Sequence, residues 1–248
     1  RLVGLLLVLL LSAANCPAAD LAEGLTLFDH KEYGQAKEIL VALASRNPAD
    51  ARLAYYAGRS LIKDREITKA VEYLERGSKT AGADADLYYL LGIAYLSRIN
   101  EVGWLRKAGF AMNARDAWIR SLELDASQVP ASYALASFYI SAPAIVGGNK
   151  EKAKEQVASL ESRSPGYALM VKAMLAAQDG NFEQACQLAV AGEQQIKDKA
   201  FPSFYAANYL YQAKHFDQAL EALNRYAGLE KAWDDPADVL VDDVDADL

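Results

Sequence analysis

Residues 51–84 read ARLAYYAGRSLIKDREITKAVEYLERGSKTAGAD, with Gly58 in the first half and Ala70 in the second. The same small residues return on a fixed step. Gly24, Gly58 and Gly92 stand 34 residues apart, as do Ala36 and Ala70, Ala173 and Ala207, and Ala185 and Ala219. A period of this length carried by Gly and Ala records close helix–helix contacts, because only a small side chain lets paired helices and neighbouring pairs approach. Between the small residues, Leu21, Leu25 and Phe28, then Ile39, Leu40 and Leu43, recur every three to four positions, the spacing of a helix with one apolar face. Asp29-His30-Lys31 and Lys63-Asp64-Arg65 are the polar breaks where such helices turn. Strand alternation of period two is absent over any useful length.

Numbering the small residue of each first helix as position 8 and that of each second helix as position 20 divides the chain into units 17–50, 51–84, 85–128, 129–165, 166–199 and 200–233. Unit one closes on Pro48, unit five carries the Gly180-Asn181-Phe182 turn, and unit six places Phe216 directly after its turn. In these features residues 20–233 resemble the tetratricopeptide repeat family. The resemblance implies an all-α fold, a right-handed α-solenoid of about six helical hairpins. It also implies a non-catalytic scaffold or adaptor that holds a peptide or protein in its concave groove. Two units are longer than the rest: Gly92 to Ala114 spans 22 residues and Ala136 to Ala153 spans 17, against the usual 12. Both insertions fall between the two helices of a hairpin, so Trp104–Phe110 and Pro143–Gly148 are expected side by side on one edge of the stack. The ten extra residues of unit three keep a helical step and are expected to lengthen its second helix by about 15 Å. The stretches GWLRKAGFAMNARDAWIRSLELD and FYISAPAIVGGNKEKA are similar to exported bacterial tetratricopeptide proteins of unestablished role.

Arg1 followed by the apolar run Leu2–Leu11 and by Ser12, Ala13 and Ala14 reads as an export signal within residues 1–19, placing the protein outside the cytoplasm, in the periplasm. The run is too short to span a bilayer. Its flank is poor for lipoprotein anchoring at Cys16, since Asn15 and Ala13 replace the small residue and the Leu that such a box wants. The sequence is expected to begin just inside its true start. Net charge is −7, and residues 230–248 hold eight acids against Lys231, which also makes −7. The remaining body is therefore neutral, which argues against nucleic-acid binding. Residues 234–248 read as an acidic tail, disordered or capping; a solenoid ending on Leu220, Leu223 and Tyr226 is sticky, so either Val239-Leu240-Val241 or a second copy of the chain is expected to cover it.

The resemblance places the groove on positions 2, 5, 9 and 12 of each first helix. Those positions hold Arg52, Tyr55, Arg59, Tyr89, Tyr133, Met170, Phe204, Asn208 and Tyr211, an aromatic groove with a basic end suited to a peptide. The Lys and Asn of a two-carboxylate clamp are replaced by Tyr55 and Arg59, so chaperone-tail binding is not implied. A second partner surface is the inserted edge, where Trp104, Arg106, Lys107 and Phe110 could meet an acidic protein or, weakly, a membrane surface. Gly147-Gly148 reads as a turn, with Asn149 capping the helix after it. No catalytic residues, cofactor or metal site are assigned: His30 and His215 occupy turns five units apart, Cys186 reads as a small buried hydrophobe, and zinc, hydrolase and nucleotide motifs are missing. Alternatives of a different class are a receptor for a small hydrophobic or glycan ligand and an accessory subunit of an envelope enzyme complex.

Overall fold

The computed structural model describes residues 17–229 except residue 198, with the side chains of residues 17–19, 104 and 105 left out. The export segment, Cys16 and the acidic tail lie outside the described residues. Twelve α-helices follow one another, with no strand among the described residues. They are α1 (Pro17–Asp29), α2 (Tyr33–Arg46), α3 (Ala51–Lys63), α4 (Ile67–Ser78), α5 (Ala85–Arg98), α6 (Trp104–Leu124), α7 (Val129–Ser141), α8 (Lys150–Arg163), α9 (Pro165–Gln178), α10 (Phe182–Gln195), α11 (Phe201–Gln212) and α12 (Phe216–Gly228). Each packs on the next, and first helices also touch across units, α3 on α5 and α7 on α9. The expected all-α solenoid of hairpins is what forms.

Helix starts and turns are written locally. Asp50, Asp84, Asn149 and Asn181 each accept a hydrogen bond from the amide three residues on, capping α3, α5, α8 and α10. Between paired helices one residue takes the left-handed conformation: Lys31 (φ 63°), Arg65 (φ 59°), Gly180 (φ 78°) and Lys214 (φ 66°). The next amide then bonds five residues back, Glu32 to Leu27, Glu66 to Leu61, Asn181 to Ala176 and His215 to Leu210, at 2.8–2.9 Å. One turn geometry thus serves four hairpins whether or not glycine occupies it.

The 34-residue glycines are set against bulky buried side chains of their partner helices. A Cβ on Gly24 would lie 2.9 Å from Leu40 Cδ2, on Gly58 2.5 Å from Leu74 Cγ, and on Gly92 2.3 Å from Trp118 Nε1. Trp118 is fully buried and donates its indole N–H to Tyr89 O at 3.2 Å. The core is a ribbon: one cluster runs from Ala51 to Ala222, and two smaller ones under α1 and α2 continue it.

The insertions behave differently from each other. In unit three, α6 has 21 residues against 12 to 14 in the other second helices, the extension preceding Ala114, while Ile99–Glu101 form a 3₁₀ turn. In unit four the extra residues make a 3₁₀ turn, Ala144–Val146, closed by Gly147 (φ 106°). A Cβ on Gly148 would meet Ala142 O at 1.8 Å, so this is a tight structural turn, and Asn149 caps α8 as expected. The helix that carries the first insertion touches the second: α6 contacts the Ala144–Val146 turn. The Pro143–Gly148 turn reaches α6 at Arg115, whose Nη1 donates to Val146 O at 3.3 Å, more than a turn beyond Phe110. Phe110 instead packs inward on Tyr95, with ring centroids 6.1 Å apart.

Candidate partner-binding surface

Four of the nine expected groove residues are core. Tyr89, Tyr133, Met170 and Phe204 are all under 10% exposed, so as partner-binding residues they are corrected to packing residues. The reason is the side-by-side contact of first helices. Tyr133 of α7, Tyr167 of α9 and Phe201 of α11 lie one 34-residue step apart and form a three-ring cluster, with centroids 5.3 Å (Tyr133–Tyr167), 5.3 Å (Tyr133–Phe201) and 5.6 Å (Tyr167–Phe201) apart. Unit four thereby touches unit six. Nine of the 13 residues of α7 are buried, around its whole circumference, as befits a helix enclosed on all sides.

Of the expected groove, what stays accessible lies toward the two ends. At the first end, Arg52 is exposed and Tyr55 and Arg59 are half-buried on α3. Arg59 sits 4.5 Å over the Phe28 ring, Arg52 lies 5.6 Å from the Tyr56 ring, and Tyr55 meets Tyr56 edge-on at 5.3 Å. Burial raises the Tyr55 phenol, and the Arg59 charge draws it partly back. Beneath this end, Lys37 of α2 bridges Asp64 and Glu66 (2.6 Å) at the α3–α4 turn. Hydrogen bonds from Lys37 and Lys69 hold the Glu66 carboxyl down at about 2. The arrangement fixes the first hairpin on the second.

At the other end, Asn208 is exposed and Tyr211, 61% exposed, stacks edge-on against Phe216 at 5.6 Å. Phe216, Leu220 and Leu223 follow on one face of α12, at 57%, 59% and 44% exposure. Tyr226 turns inward onto Phe204, 5.6 Å away. On the inserted edge, Arg106 and Lys107 are exposed and Phe110 is half-buried, while the Trp104 side chain lies outside the described residues. No helix among the described residues is long and apolar enough to cross a membrane.

The second-helix side holds two features that sequence reading missed. A cleft of about 810 Å³ opens between α10 and α12, lined by Val190, Ile196 and Leu210 together with Glu193 and Arg225. Arg225 grips Glu193 through Nε (2.7 Å) and Nη2 (2.9 Å), and Ser203 donates to the same carboxylate at 2.6 Å. Burial alone would raise Glu193, but these donors outweigh it and hold the carboxyl below its ordinary value. Further along, Glu183, Cys186 and His215 converge, their ligand atoms within 4.8 Å of one another. His30 lies in the turn after α1 and His215 in the turn before α12. His215 lies 29 residues after Cys186 and 32 after Glu183, close to one repeat, and that offset is the signal that brings residues of adjacent units abreast.

No protein-family model matches the sequence, and no curated protein matches it. Solved structures do match. TTC0263, a thermophilic TPR protein of Thermus thermophilus, is 17% identical with a TM-score of 0.63, covering 79% of this chain and all of its own. YrrB, described as a TPR protein with an unusual peptide-binding site, is 17% identical with a TM-score of 0.52 over 74% of this chain and 88% of its own. MamA is 18% identical with a TM-score of 0.54 over 74% of this chain and 93% of its own. At these identities the likeness shows the fold.

Proposed function

On a tetratricopeptide-repeat fold, we propose that the protein is a non-catalytic protein–protein interaction scaffold that holds a peptide or a segment of a partner protein at the first-unit end of its stack. The observation that carries this reading is the contrast along the first helices. Arg52, Tyr55 and Arg59 remain accessible on α3, whereas Tyr89, Tyr133, Met170 and Phe204 are enclosed by their neighbours. Two guanidiniums beside two tyrosine rings suit an extended acidic segment with an aromatic or aliphatic anchor, taken up by charge-assisted hydrogen bonds and ring contact. The peptide-binding site described for YrrB supports a peptide as occupant. The export signal read in residues 1–19 supports a workplace in the bacterial cell envelope, within the periplasm.

A photo-crosslinking amino acid at position 52 tests the reading in an envelope fraction. A discrete protein adduct that is lost when Arg59→Glu is added supports it. No adduct at position 52, with one at position 106, moves the site to the inserted edge and overturns it. A second reading, a receptor for a small ligand, is favoured by the α10–α12 cleft, whose volume of about 810 Å³ falls in the range of ligand pockets. Native mass spectrometry of the purified chain tests that one: a co-purified small molecule, displaced by Arg225→Ala, supports it.

A further inference from the structure

We propose that Glu183, Cys186 and His215 form a binding site for a zinc-class divalent cation that ties the last hairpin to the one before it. Glu183 and Cys186 stand three residues apart in the first turns of α10 and so share one face of that helix. His215 comes from the turn that opens α12, and it is held there by its own backbone: its amide donates to Leu210 O at 2.8 Å, directly after the left-handed Lys214. The three ligand atoms lie within 4.8 Å of one another, and His215 Nε2 is already 2.9 Å from Glu183 Oε2. Bond lengths of about 2.0–2.3 Å imply ligand separations of roughly 3.3–3.8 Å in a tetrahedron, so side-chain adjustments of about 1 Å close the site.

The surroundings suit a cation. A cleft of about 450 Å³ is lined by these three residues with Gln187, Gln194, Gln218, Val190, Ala191 and Leu210, and no Lys or Arg is among them. Cys186 is buried yet lines this cleft, with its thiol donating to Glu183 O at 3.2 Å. A thiolate, an imidazole and a carboxylate together select a borderline ion, and three protein ligands leave a fourth tetrahedral position for water. On binding, the Cys186 S–H proton passes to bulk water and a sulfur–metal bond replaces it. His215 releases to bulk water the Nε2 proton that bonded Glu183, holds a proton on Nδ1, and gives its Nε2 lone pair to the ion. Glu183 exchanges its hydrogen bond to Nε2 for the ion.

Cobalt(II) titrated into the full chain after chelator treatment tests the proposal. The expected result is one Co²⁺ per chain, a visible d–d band of tetrahedral intensity, a near-ultraviolet thiolate-to-cobalt charge-transfer band, and displacement of both by Zn²⁺. His215→Gln, at a half-exposed turn that tolerates the change, should weaken binding at least about tenfold, and Cys186→Ala should remove the charge-transfer band. Zn²⁺ should raise Tm in the parent chain and not in His215→Gln, a readout that stands even if Cys186→Ala melts early. Absence of the charge-transfer band, its survival in Cys186→Ala through Cys16, or equal titrations for parent and His215→Gln would each overturn the site.

Discussion

At the scale of single residues, the 34-step is a record of where a methyl group does not fit. Gly92→Ala would drive a Cβ to 2.3 Å from Trp118 Nε1 and break the indole bond to Tyr89 O. A loss of about 1–3 kcal/mol is expected in urea unfolding. Gly109 on the exposed part of α6 has nothing within 4 Å of its Cβ position, and Gly109→Ala should instead gain about 0.5–1 kcal/mol from helix propensity. Equal effects for the two substitutions would refute the contact reading. The turn adds a second residue-scale test: Gly180, at φ 78°, should lose about 1–2 kcal/mol on Gly180→Ala. The small residues, the cap Asn149 and the turn positions were legible because each is decided within one hairpin. The left-handed state of Lys31, Arg65 and Lys214 was not, since lysine and arginine announce no such conformation.

At the scale of elements, apolar periodicity located the helices, and a longer second helix in unit three was legible from the helical step of Ala108, Ala111 and Ala114. The side that each tyrosine serves was not. Whether Tyr133 lines a groove or packs on Tyr167 and Phe201 depends on how successive hairpins tilt, which no single helix encodes. Tyr133→Ala should therefore cost about 3–5 kcal/mol as a core truncation, measured by chemical denaturation. A partner-facing residue would lose binding and little stability. The α10–α12 contact makes a pH prediction. Glu193 has its carboxyl lowered in the folded state, so its contribution is present above the ordinary glutamate value near 4.5 and is lost as pH falls below it. Between about pH 5 and pH 3, Tm of the parent chain should fall more than that of Glu193→Gln; parallel curves would show that Arg225 and Ser203 do not stabilise the ionised form.

At the scale of the whole molecule, the ribbon-like core encloses the first-helix residues Tyr89, Tyr133 and Met170 of the middle units, while Tyr55 and Tyr211 nearer the ends keep exposed surface. Fold class was readable from one repeat because stacking follows from the repeat itself. Of the expected groove, the sequence did not tell surface from core: Arg52, Tyr55, Arg59, Asn208 and Tyr211 lie on exposed or half-exposed surface, while the intervening aromatics are consumed by contacts between units. The Glu183–Cys186–His215 cluster escaped the sequence because its members carry no motif and meet only when two units are laid abreast. Leu220→Glu should shift stability by no more than about 0.5 kcal/mol, as its side chain is 59% exposed. The most direct measurement of the central claim, a closed middle with open ends, is hydroxyl-radical footprinting of the folded chain read by mass spectrometry. Tyr211 should oxidise fast, Tyr55 at an intermediate rate, and Tyr89 and Tyr133 only at the rate of unfolding; oxidation of Tyr133 as fast as that of Tyr211 would contradict the account.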